Sequence, residues 1–109
     1  MVLGVGVDLV DIARFEHALT RTPRLKKRLF GDIDLLDSEI SAQSLAARFA
    51  AKEALAKALN AGKGLSWQEA EVVNLESGKP VFLFRGEIAD LIHGADVHLS
   101  LSHDAGIAS

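Results

Sequence analysis

The 109-residue chain contains no cysteine, which excludes disulfides, thiol nucleophiles and zinc–thiolate sites. A cysteine-free composition is compatible with the cytoplasm, which is the location expected. Aromatic residues make up only 6% and the formal net charge is -3. Both count against a nucleic-acid binder, which needs stacking platforms and a basic excess. Internal repeats, low-complexity tracts and linkers are lacking, and a chain of this length is read as one domain, residues 1–109. The apolar start, MVLGVGVDLVDI, has no basic leader and carries Asp8, so it reads as a strand rather than a signal peptide or membrane span. No membrane partner is expected.

What is present is an ordinary globular composition, 49% hydrophobic and 25% charged, with its charge unevenly spread. Residues 14–28 hold Arg14, Arg21, Arg24, Lys26, Lys27 and Arg28 against one acid, Glu16. The following GDIDLLDSEI holds Asp32, Asp34, Asp37 and Glu39 with no base. A local basic arm on an acidic chain points to an acidic macromolecular partner; a solvated helix face is the competing reading.

Alternation over Val2–Val10 predicts a strand with Leu3, Val5, Val7 and Leu9 on one face and Gly4, Gly6 and Asp8 on the other. Asp11 caps a helix to about Leu19, RLKKRLF forms a short basic helix, and Ser41 or Ser44 starts a long helix to about Leu59. EVVNLESGKPVFLF reads as a hairpin through Ser77-Gly78-Lys79-Pro80. GEIADLIHG is a helix closed by Gly94, and ADVHLSLSHDAGIAS a strand with a turn near Asp104–Gly106. The final GIAS resembles the start of one more strand, incomplete and without room to pair. The order β-α-α-β-β-α-β predicts an α+β domain with a mixed or antiparallel sheet packed on the long helix.

Two groups of residues bear on chemistry. Glycines beside Asp8 mark a close approach by backbone or ligand, although Asp8 could equally cap the first turn after its strand. On the long helix, Leu45, Phe49, Leu55, Ala56 and Leu59 span one apolar arc. Lys52 falls inside that arc, Glu53 lies about 40° beyond its edge, and Lys57 follows one turn later. An i,i+4 Glu–Lys pair on a solvated face, with Lys52 snorkelling, accounts for the same spacing. Alternatively, Asp8 and Glu53 offer hard oxygen ligands to magnesium, which takes only one or two protein carboxylates, with the lysines meeting phosphate oxygens. Gly62 and Gly64 permit close backbone approach, but at a helix C-terminus, where the dipole disfavours an anion.

The segments GVGVDLVDIARFE and RFAAKEALAKAL closely resemble the two signatures of the bacterial holo-[acyl-carrier-protein] synthases, small 4′-phosphopantetheinyl transferases. Gly6-Val7-Asp8 matches the first core; Phe49, Lys52, Glu53, Ala54 and Lys57 match the second, F-x-x-K-E-[AS]-x-x-K. GKP and HLSLSH follow at family-like positions. The resemblance implies a 4′-phosphopantetheinyl transferase-like fold assembled as a homotrimer with sites at subunit interfaces. It implies magnesium-dependent transfer of 4′-phosphopantetheine from coenzyme A to a serine of apo acyl carrier protein, releasing adenosine 3′,5′-bisphosphate. On this basis Asp8 and Glu53 hold the metal, and Lys57 contacts the phosphates. Arg48, Phe49, Lys52, Gly62 and Gly64 line the nucleotide cleft, joined by Lys79, Pro80 and the HLSLSH strand of a neighbouring subunit. Arg14, Arg21 and Arg24 stand where the family places carrier-binding arginines. The serine needs a base, for which Glu53, directly or through a metal-bound water, and His103 are both candidates. A binding module without turnover and a nucleic-acid binder using residues 14–28 are the other function classes considered.

Overall fold

The computed structural model describes residues 1–61 and 65–109. The first paired strand, β1 (Val10–Asp11), leads directly into helix α1 (Ile12–Arg21). Asp11 caps that helix, its carboxylate accepting from the Arg14 amide at 3.0 Å. This local bond satisfies one orphan donor of the first turn. Helix α2 (Arg24–Leu29) follows, then a loop to α3 (Ala42–Ala58), which Ser41 caps through the Ser44 amide. Helix α3 ends with Asn60 in the left-handed region and the Ala61 amide donating to the Ala56 carbonyl. This is a Schellman-type stop with asparagine where glycine is commoner.

A single 3₁₀ turn (Trp67–Glu69) precedes the hairpin β2 (Ala70–Asn74) and β3 (Pro80–Phe84). Helix α4 (Gly86–Ile92) ends at His93 and Gly94, both at positive φ. The chain closes with β4 (His103–Asp104) and β5 (Ile107–Ala108), joined through Ala105 and Gly106, again at positive φ. No helix among the described residues is long and apolar enough to cross a membrane.

The α+β expectation holds, but as two small antiparallel sheets rather than one: β1-β5-β4 and β2-β3. Ile107–Ala108, expected to lack room to pair, is the middle strand of the first sheet, and Ala108 is fully buried. Of the expected Val2–Val10 strand only Val10 is paired, continuing into Asp11. The alternation is nevertheless physical. The glycine face lies on α3, so close that a Cβ on Gly6 would stand 2.7 Å from the Ala54 carbonyl carbon. The opposite face leaves Leu3, Val5, Val7 and Leu9 between 69% and 81% exposed.

The expected single apolar arc on α3 is also too narrow. Ala46, Ala47, Ala50 and Ala51 are buried along with Leu45 and Leu55, because methyl-sized side chains let neighbouring elements close on several sides. One core cluster joins Val10, Phe15, Phe30 and Ala108 to the first half of α3; a second joins Leu55 to Ala70 and Ile88. The Phe15 ring stacks on Phe49 at 5.1 Å and meets Phe30 edge-on at 6.3 Å, which holds α1 against α3.

Candidate active site

Packing of the glycine segment on α3 carries Asp8 to the helix face that bears Glu53 and Lys57. The Lys57 ammonium donates to Asp8 Oδ1 at 2.9 Å and to the Val7 carbonyl at 3.0 Å, tying the N-terminal segment to the last turn of α3. The capping role weighed for Asp8 belongs instead to Asp11, three residues later. Asp8 and Glu53 both line an open cavity of about 420 Å³, with Leu9, Val10, Asp11, Arg14, Phe15 and Phe49. Burial raises the Glu53 carboxyl above its ordinary value; the Asp8 charge raises it further, and Lys57 opposes both.

Asp8 and Glu53 share one cavity, and Glu53 resists ionisation through burial and, to a lesser degree, the Asp8 charge, an arrangement that a divalent cation relieves. Among the described residues no group of three or more His, Cys, Asp or Glu is placed to hold a metal. A magnesium ion does not require three, since water and substrate phosphates complete its octahedron. The donor set of Asp8 and Glu53 is therefore one that could hold magnesium.

The remaining expected residues fall into three places. Arg48 and His103 line a second, smaller cavity of about 120 Å³ with Ser44, Ala47, Asn74 and Leu101. Arg48 donates to the Asp34 carbonyl, and burial lowers its pKa against the pull of Asp34 and Asp37. Arg48 and Glu53 thus face different cavities of one chain, not one continuous wall. Lys79 is exposed and Pro80 half-buried at the β2–β3 hairpin turn. Arg14, Arg21 and Arg24 are all exposed, and Arg14 also borders the Asp8–Glu53 cavity. His17, His93 and His98 are exposed, away from both cavities. Gly62 and Gly64 lie outside the described residues.

Lys52 departs most from expectation. It neither snorkels nor reaches the cavity of Asp8 and Glu53, being fully buried with its ammonium donating to Asp34 Oδ2 at 2.8 Å, the Trp67 carbonyl at 2.8 Å and the Ala70 carbonyl at 2.6 Å. Three acceptors take all three ammonium protons, so within this chain none is left for a phosphate. Burial lowers the Lys52 pKa, and the Asp34 charge and hydrogen bond resist that shift.

Sequence reasoning missed Asp34 and Glu71 as functional groups. Asp34 sits in the acidic run without a base, yet its base is Lys52, 18 residues on. Glu71 Oε2 accepts from the Ile33 and Asp34 amides, and Oε1 pairs with Arg85 at 2.7 Å. The run of acids was the visible signal for Asp34; nothing in the strand pattern singled out Glu71.

Residues 4–106 match the family model of the 4′-phosphopantetheinyl transferase superfamily. The holo-[acyl-carrier-protein] synthase of Beutenbergia cavernae is 50% identical over 112 residues, covering 100% of this chain and 94% of that protein. That of Streptomyces griseus is 51% identical over 115 residues, covering 100% and 94%. Among solved structures, the Helicobacter pylori holo-[acyl-carrier-protein] synthase in complex with coenzyme A has a TM-score of 0.85 at 31% identity, covering 95% of this chain and 93% of that one. A Bacillus anthracis holo-(acyl-carrier-protein) synthase in complex with CoA (3′,5′-ADP) has a TM-score of 0.80 at 30% identity, covering 99% and 91%. A cavity lined by Asp8 and Glu53, with Lys57 bonded to Asp8 beside it, on a chain aligned with these proteins almost end to end, leads to one conclusion: the chain belongs to the 4′-phosphopantetheinyl transferase superfamily, among its holo-[acyl-carrier-protein] synthases.

Proposed function

We propose that the protein transfers 4′-phosphopantetheine from coenzyme A to a serine of apo acyl carrier protein, leaving adenosine 3′,5′-bisphosphate, with Mg²⁺ as cofactor. The observation that carries this reading is the meeting of Asp8 and Glu53 at one cavity bordered by Arg14, with Lys57 paired to Asp8. When bound there, magnesium would neutralise the pyrophosphate charge that otherwise repels an incoming serine oxygen. Asp8 and Glu53 would hold the ion, and Lys57, now bonded to Asp8, would be available to the phosphates once the metal took its place on that carboxylate. Phe49, Phe15 and Leu9 give the open cavity an apolar wall beside its carboxylates. Arg14, Arg21 and Arg24 dock the acidic carrier, chiefly raising the association rate.

The working enzyme is a homotrimer in the cytoplasm, and each site draws on two chains. Two features support a site shared between chains. Leu3, Val5, Val7 and Leu9 are largely exposed although the same segment is packed tightly on its glycine face. The Arg48–His103 cavity is separate from the Asp8–Glu53 cavity within one chain. A neighbour would bring His103, Lys79 and Pro80 to the Asp8–Glu53 side, making His103 and Glu53 the two candidate bases for the serine.

The test is incubation of the protein with coenzyme A, magnesium and an apo carrier protein, followed by mass spectrometry of the carrier. Gain of the phosphopantetheine mass, lost on chelation of the metal, is expected. A carrier that binds but gains no mass would overturn the enzymatic reading.

A further inference from the structure

Helix α3 carries the metal-facing Glu53, yet much of its buried surface consists of alanine: Ala46, Ala47, Ala50 and Ala51. Methyl-sized side chains form shallow ridges, which specify the rotation of a helix about its own axis poorly. The buried polar contacts supply what the methyl groups do not. Lys52 and Arg48, one turn apart on α3, both reach a single residue of the preceding loop: Lys52 its carboxylate and Arg48 its carbonyl. That residue, Asp34, is itself immobilised, with Oδ2 accepting from the Gly31 amide at 3.0 Å and Oδ1 from the Val72 amide at 2.7 Å. Both Asp34 and Lys52 are fully buried, and every polar atom of the pair is partnered.

Such a pair contributes little net stability, because desolvation of two charges offsets their attraction. What it does supply is direction: Lys52 satisfies all three protons only at one rotation of α3. Glu53 is the next residue, about 100° around the helix. We propose that the buried Asp34–Lys52 pair is a positioning device that sets the rotation of α3, and through it the aim of Glu53 towards Asp8. Neither residue touches substrate or metal. The inference rests on the reading of Asp8 and Glu53 as metal ligands.

The experiment measures Mn²⁺ binding to the purified full-length protein, without coenzyme A or carrier, by electron paramagnetic resonance of the free ion. Asp34→Asn/Lys52→Met removes both charges at nearly constant volume, and Lys52→Met alone serves as the second variant. Folding is followed by circular dichroism melting, and Glu53→Gln is the ligand control. Folded variants are expected to bind Mn²⁺ roughly tenfold more weakly, the lower end of what supporting residues around a metal contribute. Magnesium activation should shift by the same factor, with kcat recovering at saturating metal. A merely structural defect would instead lower kcat at every metal concentration and leave the Mn²⁺ midpoint unmoved. Unchanged Mn²⁺ affinity in a folded variant overturns the proposal. Failure of both variants to fold also overturns it, since the pair would then serve folding rather than aim. If Glu53→Gln itself binds Mn²⁺ like the wild type, the metal-site reading fails, an outcome distinct from failure of the positioning role.

Discussion

Replacing Gly6 by alanine tests the contact on which the whole site depends. The residue needs no left-handed conformation, so the cost of a methyl group there is steric alone. The added Cβ would meet the carbonyl oxygen of Ala54, lie 2.7 Å from its carbon and 3.0 Å from the Ala58 nitrogen, where ordinary contact begins at 3.4 Å. All three are backbone atoms of the last turns of α3, held by the helix, so none can swing aside as a side chain would. The N-terminal segment must lift from α3 instead, taking Asp8 away from Glu53 and Lys57. Overpacking of this kind costs about 1–3 kcal/mol. For a domain of this size that lowers the melting temperature by roughly 4–24 °C. A displacement near 1 Å at the reacting groups costs about 100-fold in rate. The assay is initial-rate formation of holo-carrier by mass spectrometry beside a thermal melt. Gly94→Ala is the control: that site has φ +77° and nothing within 4 Å, so it carries backbone strain of about 1–2 kcal/mol without touching the site. If Gly6→Ala kept wild-type rate and stability, or Gly94→Ala lost as much activity, the reasoning would be refuted.

Glu53→Gln should abolish magnesium-dependent activity while slightly stabilising the metal-free protein. The Glu53 pKa is raised on folding, so the stability this group contributes is present below its unfolded value and is lost as pH rises through the folded one. Melts in chelator should therefore favour the glutamine variant at neutral pH by no more than several tenths of a kcal/mol, solvent screening being substantial, and the gap should close on acidification. A gap that widens in acid would contradict this. Asp34→Ala strands the Lys52 ammonium in the core, and a chemical denaturation curve should register a loss of about 3–5 kcal/mol. Arg14→Glu should raise the KM for carrier protein far more than that for coenzyme A, with a weaker salt dependence; equal changes in both would sink the docking role. Mixing and reassembling two inactive variants, Glu53→Gln and His103→Ala, should restore activity above either alone if one site uses two chains, and no recovery would place the site within a single chain.

Much of the fold was legible because it rests on local signals. Asp11 and Ser41 cap their helices through bonds to amides three residues on, an arrangement visible as residue type and position. Gly78 sits at φ +88° in a hairpin turn that the sequence marks plainly. The N-terminal strand was drawn too long for a different reason: alternation reports two faces but not whether a neighbouring strand is there to pair, and only Val10 pairs, while the close approach expected at the glycines is made to α3. The pairings of Asp34 and Glu71 were beyond reach because their partners lie far along the chain, at Lys52 and at Ile33 and Arg85. A buried ion and a surface ion have the same letter.

Residue identity and spacing determined the class of fold and the helix and hairpin boundaries to within a few residues, and the family resemblance of two short segments joined an aspartate signature to a lysine–glutamate helix. Tertiary structure alone decided which of those charges share a cavity. Glu53 and Lys57 meet Asp8 because Gly6 lets the backbone of the first segment touch α3. Lys52, adjacent to Glu53, points about 100° away into the core and is held by Asp34. Helical periodicity gives the angle between two side chains, but what waits at each angle is set by elements distant in sequence.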